Sequence, residues 1–409
     1  MAGSAGILPA FVAKPASRRS RQDACAPRCG YYVLCDRRIN VSTFTTQPKQ
    51  IPIELVDEVT LSDPETRMVR VDKIGSSTVN LGLPHELEIT TRCEARTGNV
   101  VVVRALTDNA TYNTLEMVTG RMAKINPGDI IVGVLGYRRA LKGFVGDVPD
   151  SVAAGDRLHL LNLGGLVGRC VGHHHSLSNA IEVEVIGMPV SDGRILNIAE
   201  GAIAPRETLD CPVPLILVAG TCMNSGKTYA ATEIIKQLTR EGQRVSAAKL
   251  AGVACLRDTL NMEDHGAIET MSFLDCGMPS TVGVADLAPM AKGVLSKLAQ
   301  NGPDCIVIEL GDGILGGYGV ETIFNDEELM NATAALVFCA GDFVGAWGGK
   351  QLLESHGVKI DVISGPVADS QMGTEYVKRE LGLDAANAVN RPDQLAELIK
   401  TKLAEWARK

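Results

Sequence analysis

The order of apolar and polar positions divides the chain into two halves with different periodicity. From Cys211 onward, short apolar runs alternate with longer amphipathic stretches, which is the pattern of strands followed by helices. Such alternation predicts a parallel sheet covered by helices on both faces. The predicted strands cover residues 215–219, 243–250, 304–310, 334–340, 358–364 and 386–389, and the predicted helices cover residues 229–238, 264–276 and 392–406.

Between about residues 51 and 190 the apolar runs are shorter and are separated by turn residues. Strands are predicted at residues 99–104, 129–135, 157–161 and 180–186, with turns at residues 126–129, 148–150 and 155–156. This pattern predicts a small, mainly β domain, either a barrel or a sandwich. The predicted fold class is therefore α/β, with a parallel sheet flanked by helices and preceded by a small mainly-β domain.

One segment at the start of the second half carries a chemical signature. The strand predicted from Leu215 leads into the sequence G-T-C-M-N-S-G-K-T at residues 220–228, and a helix is predicted to follow. This run ends in G-K-T as the P-loop pattern G-x-x-x-x-G-K-T does, with one residue more between its two glycines. In such a P-loop, backbone N–H groups at a helix N-terminus surround phosphate oxygens, the lysine reaches the β- and γ-phosphates, and the threonine hydroxyl binds Mg²⁺. The predicted nucleotide-binding residues are Gly220, Thr221, Asn224, Ser225, Gly226, Lys227, Thr228 and Tyr229.

The first fifty residues differ from the rest in composition. They contain eight Lys or Arg residues and two Asp residues, whereas the whole chain of 409 residues has a net charge of −8. An Arg- and Ser-rich segment with few acids is typical of an organellar transit peptide, but prolines interrupt the amphipathic repeat that such a peptide needs. We therefore expect a disordered basic tail at residues 1–50, the mainly-β domain at residues 51–205 and the P-loop domain at residues 206–409.

Composition narrows the class of protein. Apolar residues make up 45% of the chain, but no uninterrupted apolar run reaches the ~18–20 residues that a membrane span needs, so no membrane partner is expected. The negative net charge argues against a general nucleic-acid surface. The eleven cysteines are odd in number and show no C-x-x-C spacing, which is typical of a reduced, cytoplasmic protein.

Charged residues near the predicted strand ends extend the candidate site. Glu309 lies at the carboxyl end of the strand predicted beside the P-loop strand, at the sheet edge where Mg²⁺ and the γ-phosphate must lie; a buried structural carboxylate is the alternative. Lys249 ends another strand and could bind a substrate carboxylate or stabilise the transferring phosphoryl group, or it could simply be solvated. Contact with Mg²⁺ or substrate is also open to Asp258, Glu263, Asp264 and His265, although Asp264 could equally cap a helix.

Together these features resemble the dethiobiotin synthetase and cobyrinate amidotransferase branch of P-loop proteins. The resemblance covers roughly residues 212–400 and rests on the P-loop, on Lys249, and on the segment E-L-G-D-G-I-L-G-G at residues 309–317, which is similar to the branch's Glu-Gly-x-Gly-Gly element. It implies that Glu309 holds Mg²⁺. The segment departs from the branch by an inserted Leu310 and Asp312, so Asp312 could share or replace that role. No nucleophile elbow for a glutaminase follows the P-loop domain, so glutamine-dependent amidation is not expected.

Two classes of function remain open from the sequence. The first is an Mg²⁺- and ATP-dependent enzyme, a kinase or a ligase, that phosphorylates or activates a small carboxylic acid. Its catalytic residues would be Lys227 and Lys249, and its metal-binding residues Thr228, Glu309, Asp258 and Asp312. The second is a nucleotide-driven switch or metallochaperone. GTP switches of this superfamily read guanine with Asn-Lys-x-Asp, which the turn at residues 364–369 lacks, so ATP is expected; a homodimer is left open.

Two further patterns lie in the mainly-β half. The histidines at residues 173–175 suggest a metal site, but adjacent imidazoles in a loop cannot all reach one ion, so a surface turn is expected. The runs at residues 135–143 and 161–165 are richer in glycine and basic residues than a plain barrel needs. They could contact a substrate, and loop geometry alone is the alternative explanation of their glycines.

Overall fold

The computed structural model describes residues 66–109 and 112–408. These residues belong to one compact unit. The tail predicted at residues 1–50 lies outside the described residues. None of the helices in the described ranges is long and apolar enough to cross a membrane.

The strands of the first half belong to a sheet of eleven strands and to a separate two-stranded ribbon. They are β1 (Thr66–Arg70), β2 (Lys73–Ile74), β3 (Glu86–Thr90), β4 (Val100–Ala105), β5 (Thr114–Glu116), β6 (Met122–Lys124), β7 (Ile130–Leu135), β8 (Arg138–Arg139), β9 (Phe144–Asp147), β10 (Arg157–Leu160), β11 (Leu166–His173), β12 (Glu182–Ser191) and β13 (Arg194–Ile195). The four strands predicted from the sequence correspond to β4, β7, β10 and β12, and β12 extends further than predicted.

The centre of this sheet closes into a ring. β12 pairs with β4, β4 with β7, β7 with β11, β11 with β10, and β10 again with β12. Side chains at alternate positions of these strands pack into one buried cluster, which includes Val101 and Val103 of β4 and Val183 and Val185 of β12. Of the two predicted architectures, the structure therefore has the barrel, with five strands in its ring.

The second half forms a seven-stranded parallel sheet with helices. Its strands are β14 (Leu215–Gly220), β15 (Val245–Ala251), β16 (Thr270–Ser272), β17 (Cys305–Leu310), β18 (Thr333–Cys339), β19 (Val362–Ser364) and β20 (Asp384–Ala385). Its helices are α1 (Lys227–Arg240), α2 (Arg257–Asp264), α3 (Ala288–Ala299), α4 (Val320–Asn325), α5 (Glu327–Ala332), α6 (Phe343–Ser355), α7 (Gln371–Tyr376) and α8 (Pro392–Trp406). The strand order is β16-β15-β17-β14-β18-β19-β20. β14 is therefore central, and all its residues are buried, as expected of a strand covered on both faces.

Two elements predicted from the sequence are wrong. Residues 264–276, predicted as a helix, form the end of α2, the edge strand β16 and a short 3₁₀ turn, because Gly266 with a φ of 105° ends the helical path and β16 then pairs with β15. Residues 386–389, predicted as a strand, form a turn. There the side-chain oxygen of Asn387 accepts the backbone N–H groups of Val389 at 2.8 Å and Asn390 at 3.2 Å. β19 also begins at Val362 rather than at residue 358.

The barrel and the parallel sheet share one hydrophobic cluster. Val100 and Val134 of the barrel belong to the same buried cluster as Leu250 of β15. A polar contact joins the two halves as well, because the side-chain amide of Asn162 donates to the carbonyl of Ala254 at 2.7 Å. The barrel therefore lies against the sheet edge where the P-loop and the ends of β15 and β17 are found.

Candidate functional site

The P-loop joins the end of β14 to the start of α1. Gly226 precedes α1 with a φ of 97°, a backbone conformation that L side chains rarely adopt. A Cβ atom on Gly220 would lie only 2.6 Å from the carbonyl oxygen of Cys339 and 2.6 Å from the hydroxyl of Ser225. Both glycines are therefore required by local geometry, and the loop has the close-packed backbone that a phosphate cradle needs.

The Lys227 side chain is folded back onto the loop. Its ammonium donates to the carbonyl of Cys222 at 2.8 Å, to the carbonyl of Asp312, and to the hydroxyl of Ser225 at 3.5 Å. The residue is 5% exposed. Burial lowers the pKa of Lys227, and the nearby Glu309 carboxylate opposes this shift. The ammonium is thus held by neutral oxygens that an anionic phosphate can replace.

Thr228 and Glu309 meet where β17 lies beside β14. The hydroxyl of Thr228 donates to Oε1 of Glu309 at 2.9 Å, and the glutamate is only 3% exposed. Its Oε2 atom is buried and has no hydrogen-bond partner. An unpartnered carboxylate oxygen beside a P-loop threonine fits a hard divalent cation, and Mg²⁺ usually takes one or two carboxylates together with substrate phosphates. Across residues 66–109 and 112–408, no group of three or more His, Cys, Asp or Glu side chains could hold a metal by itself.

Lys249 lies on the neighbouring strand at the same level. In the pairing of β15 with β17, Lys249 is opposite Glu309. Its ammonium forms an ion pair with Asp258 in the first turn of α2, and both side chains are largely buried. Glu263, Asp264 and His265 lie at the other end of α2. Asp264 is the last residue of this helix, so the alternative that it begins a helix as its cap does not hold.

Asp312 occupies a strained position beside the P-loop. Its φ is 62°, which is uncommon for a residue with a side chain. Its carboxylate is hydrogen-bonded to Tyr318, whose hydroxyl also accepts the backbone N–H of Arg139 at 3.1 Å. Burial raises the pKa of Asp312, and Lys227 opposes this shift. Asp312 and Glu309 are thus each hydrogen-bonded to one hydroxyl, that of Tyr318 and that of Thr228, and Oε2 of Glu309 is in addition buried without a partner.

Two cavities meet at the P-loop. The smaller, of about 230 Å³, lies between the loop and the barrel, and we call it the acceptor cavity. The larger, of about 960 Å³, lies between α1, α2 and the segments after β19 and β20, and we call it the nucleoside cavity. The residues that line both are Asn224, Lys227, Thr228, Arg257 and Asp258. The position where a terminal phosphate would lie therefore opens toward both cavities.

The acceptor cavity brings together most of the predicted site residues. Its lining includes Asn224, Lys227, Thr228, Lys249, Asp258, Glu309 and Asp312. Tyr229 is 67% exposed and lines only the nucleoside cavity, while Gly220, Thr221 and Ser225 form the backbone of the loop. Glu263, Asp264 and His265 line neither cavity.

Sequence reasoning missed residues on both sides of the P-loop. The barrel contributes Tyr112, Glu116, Arg138 and Asn162 to the acceptor cavity. The turns after β19 and β20 contribute Asp369 and Asn387 to the nucleoside cavity. The glycine-rich runs at residues 135–143 and 161–165 were a signal for Arg138 and Asn162, whereas the mistaken strand at residues 386–389 concealed Asn387.

The three histidines line neither of these two cavities, but they line a third one, of about 730 Å³, together with Thr221, Cys222 and Asp312. His173 is the last residue of β11, and His174 and His175 begin the exposed turn that follows. The ring of His174 is hydrogen-bonded to Ser176 at 2.7 Å. The segment is a surface turn, as the sequence predicts.

Comparisons with known proteins come from solved structures. No protein-family model matches the chain, and no curated protein matches it. The chain is similar to the signal recognition particle receptor FtsY from Elizabethkingia anophelis, with 12% identity and a TM-score of 0.33 over 50% of this chain and 69% of that chain. It is also similar to a DUF1611 family protein from Anabaena variabilis, with 15% identity and a TM-score of 0.32 over 49% of this chain and 63% of that chain. A third is the hydrogenase maturation factor HypB from Archaeoglobus fulgidus, with 19% identity and a TM-score of 0.26 over 48% of this chain and 87% of that chain.

Likeness at these levels supports no conclusion about activity, substrate or branch. The fold itself is defined by the chain's own geometry. A central parallel strand, β14, leads through the P-loop into α1, and β17 beside it ends at Leu310, directly after the buried Glu309. The second half of the chain has the fold of a P-loop NTPase.

Proposed function

We propose that the chain is an Mg²⁺-dependent, ATP-binding enzyme that phosphorylates a small carboxylic acid or activates it for ligation. The observation that carries this proposal is that Lys227 and Thr228 line two cavities of unequal size. A volume of about 960 Å³ is in the range that holds drug-sized ligands and suits a nucleoside, whereas about 230 Å³ suits a smaller molecule. A nucleotide bound in the larger cavity would direct its γ-phosphate toward an acceptor in the smaller one.

Each residue of the P-loop then has a task. Lys227 exchanges the carbonyl oxygens of Cys222 and Asp312 for phosphate oxygens, because charge-assisted hydrogen bonds to anions are the stronger ones. Thr228 and Glu309 would hold Mg²⁺, which supplies neutralisation of the charge that develops on the phosphate oxygens. The backbone N–H groups of the loop keep the phosphates fixed, so that little reorganisation is needed during transfer.

We propose that Lys249 stabilises the transferring phosphoryl group. Its ammonium lies in the acceptor cavity, and its partner Asp258 fixes its position without leaving the cavity. Asp258 is paired with Lys249, and Asp312 is hydrogen-bonded to Tyr318. Glu309 is bonded to Thr228 through Oε1, and its Oε2 atom is buried without a partner. Of the predicted carboxylate ligands, Glu309 is therefore the one that is ready to bind Mg²⁺.

We also propose that the P-loop half is affiliated with the dethiobiotin synthetase and cobyrinate amidotransferase branch. Support comes from Glu309 at the end of β17 and from the glycine-rich segment that packs against the P-loop, where the backbone N–H of Ile314 donates to the carbonyl of Gly220 at 3.1 Å. The barrel has no counterpart in that resemblance, and we propose that it supplies the acceptor side of the site. A homodimer stays a prediction.

A nucleotide-driven switch is the second candidate, and one observation favours it. The carboxylate of Asp369 lies at the nucleoside cavity, where it accepts a hydrogen bond from the side chain of Asn387. A carboxylate near the base could accept hydrogen bonds from guanine. Adenine does not have the same pair of adjacent N–H donors. The choice of base therefore separates the two candidates.

The proposal can be tested with the full chain and a panel of small carboxylic acids. Thermal unfolding is measured with Mg²⁺ and ATP or GTP, with and without each acid, and ADP release is measured for every acid that raises the melting temperature. We expect stabilisation by Mg²⁺-ATP and acid-dependent ADP release. Binding of GTP with slow hydrolysis that no acid stimulates would favour the switch.

A further inference from the structure

Arg138 is a buried cation at the wall of the acceptor cavity. It lies on β8 of the barrel and is 6% exposed. Its Nη1 atom donates to the carbonyl of Leu161, while Nε is buried and has no hydrogen-bond partner. Its guanidinium carbon lies 5.6 Å from the centre of the Tyr112 ring, which also lines the cavity. The edge formed by Nε and Nη2 is therefore left without a partner among the described residues.

No carboxylate neutralises this arginine in the described part of the chain. The other buried cations of the cavity are accounted for, because Lys249 is paired with Asp258 and Lys227 is held by the P-loop. Asp312 lies near enough for Arg138 to lower its pKa, but its carboxylate is hydrogen-bonded to Tyr318. A guanidinium is always charged, and a buried charged group without a partner is costly. A bound anion would remove that cost.

Gly143 packs closely against the guanidinium of Arg138. A Cβ atom on Gly143 would lie 2.8 Å from Nη2 of Arg138 and 3.2 Å from its guanidinium carbon. Glycine at this position therefore permits the guanidinium to lie where it does. The glycines of the run at residues 135–143, which loop geometry alone could explain, thus include one that shapes a charged wall of the cavity.

We propose that Arg138 binds an anionic group of the acceptor, with the Nε and Nη2 edge as the binding face. The proposal rests on the proposed function, because it places the acceptor opposite the P-loop. The planar fork of a guanidinium matches both oxygens of a carboxylate or two oxygens of a phosphate. The acceptor is then fixed at the barrel by its anion, and the P-loop half supplies the phosphoryl group. Lys249 then does not have to bind the substrate carboxylate.

The test is direct anion binding to the full chain without nucleotide. The probes are malonate for a carboxylate and inorganic phosphate for a phosphate group, titrated by calorimetry. The titrations are made in a Lys227→Ala background as well, so that anions bound at the P-loop are not counted. We compare Arg138→Gln with Arg257→Gln, a matched control that removes the same charge from an exposed arginine at the rim of the same cavity.

We expect Arg138→Gln to weaken binding of the preferred probe by about tenfold or more, because a hydrogen bond to a charged group is lost. Arg257→Gln should weaken it by less than about threefold, since exposed charges are screened by solvent. The tighter of the two probes identifies the anion. Wild-type affinity in Arg138→Gln, equal losses in both variants, or no binding of either probe to the wild type would each overturn the proposal.

A second variant, Gly143→Ala, tests the same site in case Arg138→Gln does not fold. Gly143→Ala keeps the charge of Arg138 but crowds Nη2, and we expect it to weaken the same probe; if Arg138→Gln does not fold, unchanged binding by Gly143→Ala overturns the proposal. ATP affinity is measured separately in every variant. Anion binding that depends on Arg138 in a chain that binds no nucleotide would refute the proposed function and leave this site standing. A chain that binds nucleotide but shows no anion binding that depends on Arg138 would refute this site and leave the proposed function standing.

Discussion

Replacing Glu309 by glutamine tests the metal assignment with the smallest change in shape. Oε1 of Glu309 accepts the hydroxyl of Thr228, and a glutamine oxygen can keep that bond. Only the second oxygen changes, from a charged and unpartnered atom to an amide nitrogen that cannot bind a cation. Because the Thr228 contact survives, the effect of Glu309→Gln isolates the metal.

The size of the effect on Mg²⁺ binding follows from the loss of one charged ligand oxygen. A hydrogen-bond partner that carries a charge contributes about 1.5–3 kcal/mol, which corresponds to roughly 10- to 150-fold in an equilibrium constant. We therefore expect the Mg²⁺ concentration that half-saturates the ATP complex to rise by that factor. Turnover at saturating ATP should fall further, by about 100- to 1000-fold, because electrostatic stabilisation is largest as charge develops. ATP affinity without Mg²⁺ should change little.

The assay combines calorimetric titration of ATP at several Mg²⁺ concentrations with steady-state ADP release. Glu116→Gln is the matched control, since Glu116 is a buried glutamate of the same cavity whose carboxylate accepts the backbone N–H of Leu256 at 2.7 Å. The Glu116→Gln variant should keep the wild-type dependence of ATP binding on Mg²⁺. A wild-type Mg²⁺ titration and turnover in Glu309→Gln would refute the reasoning, and Asp312 would become the candidate ligand.

Four further predictions concern Lys227, the choice of base and the tail. Lys227→Ala should lower turnover by about two to three orders of magnitude. Burial lowers the pKa of Lys227 below its ordinary value of 10.5, and the neutral amine does not attract phosphate. As the pH is raised, the ATP affinity of the wild type should therefore start to fall before pH 10.5. A fall that begins only above pH 10.5, or the same fall in Lys227→Ala, would contradict this. Mg²⁺-ATP should bind more tightly than Mg²⁺-GTP by calorimetry, and equal or tighter GTP binding would be the opposite result. A chain that begins near Gln50 should fold and bind ATP like the full chain, which circular dichroism and calorimetry can check; loss of soluble protein would show that the tail is needed.

The P-loop side of the site was predictable because its residues are close in sequence or are related by a simple topological rule. The loop from Gly220 to Thr228 is one contiguous motif between a strand and a helix. Glu309 follows from the rule that the carboxyl ends of neighbouring parallel strands meet at one sheet edge. The central strands were equally clear, because a strand buried on both faces is a continuous apolar run.

The acceptor side was not predictable for a physical reason. Arg138 and Tyr112 lie 26 positions apart in the chain and meet in the barrel half, whose strands pair across long separations such as β4 with β12, and local patterns do not encode such contacts. The error at residues 264–276 has a similar origin. Thr270 to Ser272 became a strand because the edge of β15 was available to pair with, so tertiary context decided the structure of a short ambiguous segment.

The hydrophobic cluster shared by the barrel and the parallel sheet makes the two halves thermodynamically dependent. Separating the two halves near residue 205 would divide this cluster, to which Val100, Val134 and Leu250 belong, and a side chain of this kind contributes about 1.5–3 kcal/mol when it is fully buried. A few such losses are comparable with the whole stability of a typical domain, about 5–15 kcal/mol. Heat should therefore melt both halves in one transition, and a ligand held by either half should delay the unfolding of the other.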